Sequence, residues 1–189
     1  MNTDGLQISG PIKFATPRIV DARGYFSETF NLSKMQGMGV TETSWVQDNQ
    51  SYSKEEFTLR GLHLQLPPFA QAKIVRVLRG NIFDAVVDLR QGSSTFGQWQ
   101  GFTLSAEDMS QLYIPQGFAH GFLTLERDVV VSYKVSNFYS QPHDRSLHWA
   151  DSTVAIKWPL PVDVEPVLST KDDAAPGLDA LKPELGAFQ

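Results

Sequence analysis

The sequence contains no cysteine, which excludes disulfides and thiolate metal sites. No stretch approaches the roughly 20 apolar residues that a membrane-spanning helix requires. The start, MNTDGLQISG, has neither the basic cluster nor the apolar run of an export signal. With these absences the cytoplasm is the default location. Basic residues are in the minority: 16 Lys and Arg against 21 Asp and Glu give a net charge of −5. That balance opposes general binding to nucleic acid or to an anionic membrane, though not to an anionic small molecule met by a few converging basic groups. The 189 residues, 41% hydrophobic and 20% charged, predict one domain over 1–189 with a core of ordinary size.

Helix signals are also scarce. Turn signals recur at short intervals, from Ala22–Gly24 through Gly80–Asn81 to Pro159–Pro161, and short runs rich in Val, Ile, Phe, Tyr and Trp lie between them. This is the pattern of an all-β sandwich or barrel. The predicted strands are Ile12–Phe14, Gly24–Phe30, Thr43–Tyr52, Leu59–Leu64, Ala72–Arg79, Ile82–Arg90, Gln98–Leu104, Gln111–Ile114, His120–Thr124, Val129–Phe138 and Ala155–Trp158. Short helices are expected at Leu32–Gln36, at Ala106–Ser110 behind a weak Ser105–Asp108 capping box, and at Asp179–Leu181. The tail from about 170 to 189 reads as a surface-wrapping segment.

The most informative stretch is Leu59–Arg90. Gly80–Asn81 suits a two-residue hairpin turn. Counting outward from it sets Val77 against Asp84, Val75 against Val86 and Lys73 against Asp88. Lys73, Asp84 and Asp88 then share one strand face, while Ile74, Leu78, Phe83, Ala85, Val87 and Leu89 pack the other. That polar face is either a pocket inside a β structure or a solvent-facing sheet with a cross-strand ion pair.

Two of the four histidines sit in informative settings. Pro115-x-Gly117-x-x-His120 resembles the second half of the cupin signature, a jelly-roll barrel. The first half in metal-binding cupins is His-x-His followed by Glu. Here His63 is followed by Gln65, and Ala70–Gln71 falls where the Glu would be. The expectation is a metal-free pocket whose histidines serve proton transfer. Alternation places Tyr133 in an apolar stripe with Val129, Val131 and Val135. It is either a core tyrosine or a general acid pointing into a barrel. Arg60 and His63 fall on opposite strand faces and share a pocket only if the strand bulges or ends nearby, with Gly61 a plausible place for either.

The blocks DARGYFSETF, WVQDNQSYS, LRGLHLQ, QAKIVRVLRGNIFDAVVDLR, TFGQWQGFTLS, QLYIPQGFAHGF, YKVSNFY, IKWP and LSTKD, in this order, resemble the dTDP-4-dehydrorhamnose 3,5-epimerases. That resemblance implies a double-stranded β-helix (cupin) barrel and a cofactor-free reaction at C3 and C5 of a dTDP-linked 4-keto-6-deoxyhexose. It implies His63 as general base with Asp172 behind it, Lys73 at the enolate oxygen, Tyr133 as the acid on the opposite ring face, and His120 with Asp84 near the keto group. Arg23, Phe26, Glu28, Gln47, Asp48, Asn49, Arg60, Asp144 and Lys171 would bind the nucleotide and sugar, and Tyr139 would stack on thymine. Asp144 stands where the family commonly has Glu, and Leu64 where Phe is usual. The resemblance also implies a homodimer exchanging N-terminal strands within about 1–50, so that Arg23, Phe26 and Glu28 would serve the partner's pocket. A single-centre epimerase or ketoisomerase on a related sugar is the neighbouring alternative. A non-catalytic sugar-binding cupin is the alternative of a different class.

Overall fold

Side chains that alternate along a strand between two apolar faces need a covering layer on each. The computed structural model, which describes residues 8–188, supplies those layers. Met1–Gln7, assigned above to the exchanged N-terminal strands, lie outside the described residues.

The chain runs through β1 (Ile12–Ala15), β2 (Ile19–Asp21), β3 (Gly24–Phe26), helix α1 (Leu32–Gly37), β4 (Gln47–Ser53), β5 (Leu59–Gln65), β6 (Lys73–Arg79) and β7 (Asn81–Asp88). It continues through β8 (Trp99–Ser105), β9 (Ser110–Ile114), β10 (Phe118–Thr124), β11 (Val129–Val135), β12 (Asp144–Ser146), α2 (Thr170–Asp173) and α3 (Leu178–Leu181). Two five-stranded sheets result, ordered β1-β9-β6-β11-β4 and β12-β5-β10-β7-β8. All their strand pairs are antiparallel, and the sheets face each other as a cupin jelly roll.

Val75, Val77, Val86, Leu112, Phe122 and Val131 fill the space between the sheets. The outer face of the first sheet is covered by α1 and the segment after it, through Met35, Val40, Ile74 and Tyr113. The outer face of the second is covered by the C-terminal segment. Leu178, Leu181 and Leu185 bury completely or nearly so against Leu62, Leu64, Val87 and Leu89. Each such leucine contributes about 1.5–3 kcal/mol by leaving water. The tail is therefore part of the core rather than a surface wrap.

The expected hairpin between the sixth and seventh strands does not form. β6 pairs with β9 and β11, and β7 pairs with β8 and β10, in the opposite sheet. Gly80, at φ +87, is the corner where the chain crosses between layers. A Cβ there would stand 2.8 Å from a Val129 methyl, so the glycine serves close packing rather than a two-residue turn. The alternation itself holds: Val75 and Val77 point inward, as do Val86 and Ile82, while Ile74 and Val87 pack outside. Lys73 and Asp84 thus meet across the barrel instead of along one sheet. Asp88 leaves the set, because its carboxylate accepts from Arg90, Ser93 and Thr95 and fastens the turn beyond β7.

Other boundaries shift for local reasons. Gly24–Phe30 shortens to β3, which among the described residues pairs only with β2, in a separate two-stranded arm. Thr43–Tyr52 begins at Gln47, and Val129–Phe138 ends at Val135. Ala106–Met109 is a turn joining β8 to β9 rather than a helix, with the Ser105 and Asp108 side chains accepting from backbone N–H groups two residues on. Ala155–Trp158 is irregular: Ala155 sits at φ +52, and the Trp158 indole N–H donates to the Trp149 carbonyl.

Candidate active site

β5 brings Arg60 and His63 to one cavity, and of a bulge or a strand end it uses the bulge. His120 of β10 stands opposite His63, and Phe122 stands opposite Arg60. Two residues, Gly61 and Leu62, therefore face the single Gly121, which is a β-bulge. The backbones approach closely there. A Cβ on Gly61 would lie 2.7 Å from both the Gly121 Cα and the His120 carbonyl oxygen, and one on Gly121 would lie 2.8 Å from the Arg60 carbonyl oxygen.

Each histidine is held by its own carboxylate. His63 Nε2 lies 2.6 Å from Asp172 Oδ1, leaving Nδ1 as the nitrogen able to take a proton. Asp172 comes from α2, where Ser169 Oγ caps the helix by accepting from the Asp172 N–H. Burial works to raise the Asp172 pKa, but hydrogen bonds from His63, Ser169 and the Gly61 N–H outweigh it and hold the group below the ordinary value. His120 Nε2 lies 2.8 Å from Asp84 Oδ2. Burial dominates this second pair, lowering the His120 pKa and raising that of Asp84, against the attraction between them.

Lys73 is also buried. Its ammonium reaches the His63 carbonyl at 3.3 Å, and desolvation lowers its pKa to about 8, opposed chiefly by Asp84. Tyr133, inward on β11 beside the Val129–Val131 stripe, has its pKa raised mainly by burial, with Arg60 acting the other way. At neutral pH the site therefore offers a charged amine and a protonated phenol beside the carboxylate-backed His63 ring.

These groups line a cavity of about 450 Å³ that also takes in Arg60, His120, Lys171 and Asp172. An adjoining chamber of about 370 Å³ shares His63, Lys73, Tyr133 and Lys171, and adds Gln47, Asn49, Tyr139 and Asp144. The Arg60 guanidinium donates to Ser53 Oγ and to the Tyr52 carbonyl, and to no carboxylate among the described residues. Lys171 is bridged to Asp144 at 2.5 Å, and the Tyr139 hydroxyl donates to the same carboxylate oxygen.

Twelve of the expected site residues line these two chambers or, as with Asp84, hold a group that does. Four do not. Asp48 points to the outer face of β4, where it pairs with Lys134. Arg23 is paired with Asp21 at 90% side-chain exposure, Phe26 is 66% exposed, and Glu28 pairs with Lys34. Arg23 and Phe26 belong to the arm and its turn, away from both chambers. Sequence reasoning missed Ser51, Leu168 and Ser169 in the first cavity and Gln71 in the second. Ser51 was within reach, because alternation along β4 sets it on the face of Gln47 and Asn49. The segment after Trp158 has no periodicity, so Leu168 and Ser169, though inside the LSTKD block, had no geometric signal to place them in the cavity.

Gln65, which stands where metal cupins place a second histidine, gives its amide to the carbonyls of Phe69 and Phe138. Among the described residues no group of three or more His, Asp or Glu side chains is gathered as metal ligands.

The profile of the dTDP-4-dehydrorhamnose 3,5-epimerase family matches residues 5–180. A dTDP-4-dehydrorhamnose 3,5-epimerase of Sinorhizobium fredii is 49% identical over 168 residues, covering 88% of this chain and 85% of its own. The crystal structure of the dTDP-6-deoxy-D-glucose-3,5-epimerase of Legionella pneumophila, in complex with dTDP-4-keto-L-rhamnose, superposes with a TM-score of 0.87. It is 41% identical, over 96% of this chain and 94% of that one. A 3'-monoepimerase from Streptomyces bikiniensis, in complex with dTDP-quinovose, has the same TM-score of 0.87 at 31% identity, over 98% and 92%.

Proposed function

The chain belongs to the dTDP-4-dehydrorhamnose 3,5-epimerase family, and we propose that it inverts both C3 and C5 of dTDP-4-dehydro-6-deoxy-D-glucose to give dTDP-4-dehydro-L-rhamnose. The observation that carries the mechanism is the 2.6 Å His63–Asp172 contact inside a cavity walled by Lys73 and Tyr133. The C4 ketone acidifies the neighbouring C–H bonds. His63 Nδ1 takes the proton from C3 or C5, and Asp172 holds the tautomer and stabilises the imidazolium. The C–H electron pair moves into the ring and the negative charge collects on the C4 oxygen, where the Lys73 ammonium meets it. Tyr133 then gives its proton to the carbon from the opposite face and inverts the centre. Exchange with solvent returns His63 and Tyr133 to their starting states. His120, oriented by Asp84, adds a polar contact near the ketone.

Arg60 and Lys171 bind the diphosphate as charge-assisted donors. Asn49, Gln47 and Asp144 line the way to the base and sugar, and Tyr139 stacks on thymine. The chain acts as one catalytic domain in a cytoplasmic homodimer, with neither nucleic acid nor membrane as partner. The arm supports the dimer: Ile19, Val20, Tyr25 and Phe26 are 56–75% exposed, too apolar a surface to stand free. On this reading Arg23, Phe26 and Glu28 complete the partner's pocket, while Asp48 takes no direct part.

The likeness to a 3'-monoepimerase keeps one second reading in view, inversion at C3 alone. Proton NMR of the purified protein with dTDP-4-dehydro-6-deoxy-D-glucose in D2O separates the two. Deuterium at both C3 and C5, with the L-configured product, supports double inversion. Exchange and inversion at C3 alone replace it with the second reading, and no exchange at either carbon overturns both.

A further inference from the structure

Tyr139 is poorly supported by packing for a residue assigned to a nucleotide base. It is 57% exposed and its neighbour Phe138 is 60% exposed, so apolar contact does not fix the loop that carries them. Glutamine side chains hold that loop through its main chain. Gln71 Nε2 donates to the Asn137 carbonyl at 2.7 Å. Gln65 Nε2 donates to the Phe138 carbonyl at 3.1 Å. Gln47 Oε1 accepts from the Tyr139 N–H at 3.0 Å, and Gln65 Oε1 accepts from the Ser140 N–H at 2.7 Å. Four consecutive residues are each gripped once.

Gln65 is the centre of this clamp. It is 4% exposed, and its second amide hydrogen goes to the Phe69 carbonyl at 2.7 Å, so both donors and the oxygen are engaged. A flipped amide would set oxygen against two carbonyls, which fixes its orientation. All three glutamines line the chamber that Tyr139 overlooks. Each of them makes at least one bond to the loop main chain, and Gln47 Nε2 also donates to Asn49 Oδ1 at 2.8 Å.

We infer that Gln65, assisted by Gln71 and Gln47, is a positioning residue for Tyr139, holding its ring as a preformed platform for the nucleotide base. A platform already ordered in the free protein pays no ordering entropy when the base arrives. The clamp therefore acts on nucleotide affinity and leaves the acid–base steps alone. This inference rests on the proposed reading of Tyr139 as the stacking residue.

The test is calorimetric titration of the full chain with dTDP, for wild type, Gln65→Met, Tyr139→Ala and the double variant, alongside steady-state kinetics and amide exchange. Methionine keeps the length and removes every hydrogen bond. Gln65→Met should weaken dTDP on the order of tenfold, the scale of one base–aromatic stack. KM should rise in parallel while kcat stays within about twofold, and the Tyr139 and Ser140 amides should exchange faster. In the Tyr139→Ala background the same change should add little, since both variants remove one platform. Gln71→Leu, at a less buried position, should move dTDP affinity the same way and serves if Gln65→Met does not fold. Additive losses in the double variant, or unchanged affinity despite faster amide exchange, overturn the inference while leaving the proposed function standing. A wild-type chain that does not bind dTDP overturns both.

Discussion

His63 and His120 face each other on the neighbouring strands β5 and β10, each with its Nε2 turned to a different carboxylate. The two pairs differ in surroundings. The His63 ring keeps 31% of its surface open to the cavity, whereas His120 keeps 8% and its Asp84 none. A base must reach solvent between turnovers to shed its proton, and only the His63–Asp172 pair is placed to do so. His63→Ala should abolish both epimerisation and solvent exchange. Asp172→Asn should keep the ring in place yet lose the charge that stabilises imidazolium, lowering turnover by about 10²–10⁴-fold. Deuterium uptake at C3 and C5 should fall by the same factor. Equal uptake in Asp172→Asn and wild type would remove Asp172 from the mechanism.

Lys73 sets a pH limit and carries a stability cost. Its folded pKa is lowered to about 8 by burial, while the unfolded chain keeps the ordinary value near 10.4. Between those values the unfolded state holds more protons, so this group's contribution to stability rises with pH across that window and is most unfavourable below it. On the proposed mechanism activity runs the other way, because there the enolate is met by the charged amine: kcat/KM should fall on the alkaline side with an apparent pKa near 8. Lys73→Met should abolish turnover yet raise the thermal midpoint at pH 7 by roughly 2–4 °C, the equivalent of about 1 kcal/mol in a chain of this size. A lower midpoint in Lys73→Met would show that the ammonium is well paired rather than strained by burial.

The Gly61 bulge is a geometric requirement with a measurable penalty. Its φ of +109 and the 2.7 Å approach to backbone on β10 leave no room for a methyl group. Gly61→Ala should destabilise the fold by about 3 kcal/mol or more, read as a shifted denaturant midpoint. Any folded fraction should be inactive, since Arg60 and His63 lose their common face. Near-wild-type stability would mean that β5 relaxes without the bulge.

The same strand shows how far the sequence could be read. Gly61 was legible as a place of conflict, because alternation set Arg60 and His63 apart while the resemblance put them together; a bulge or a strand end would each resolve that, and the β5–β10 register shows the bulge. The sheet partners of β6 and β7 were not identifiable. Alternation reports which face a side chain takes, and Lys73 and Asp84 do both face inward. A Gly-Asn pair, however, serves a corner between sheets as readily as a turn within one. Asp48 shows the opposite case: it lies between Gln47 and Asn49 in a matching block, yet period-two geometry sends it to the outer face. The Ala155–Trp158 run has strand composition but pairs with no strand among the described residues, and becomes irregular chain.

The arm offers a test that needs no structure of the assembly. If Arg23 completes the partner's pocket, His63→Ala and Arg23→Ala chains are each impaired alone but complement each other when mixed. A mixed dimer then contains one site with both residues intact and one with neither. Statistical exchange should restore about a quarter of the wild-type activity. No recovery after unfolding and refolding the mixture together, with dimers present by ultracentrifugation, would place Arg23 outside the shared site.

Tyr133→Phe separates acid from base. The substitution keeps the ring beside Val129 and Val131 and removes only the hydroxyl, whose pKa burial raises and which is therefore protonated at neutral pH. If the proposed roles hold, His63 can still remove the α-proton and Lys73 can still hold the enolate, but nothing returns a proton from the opposite face. Epimerisation should slow by about 10²–10⁴-fold. Deuterium should still enter the recovered substrate with its configuration retained, because His63 reprotonates the face it deprotonated. Exchange without inversion is the signature of a missing second-face acid. Complete loss of exchange at unchanged dTDP affinity would instead mean that Tyr133 takes part in forming the enolate, and the division between one base and one acid would have to be abandoned.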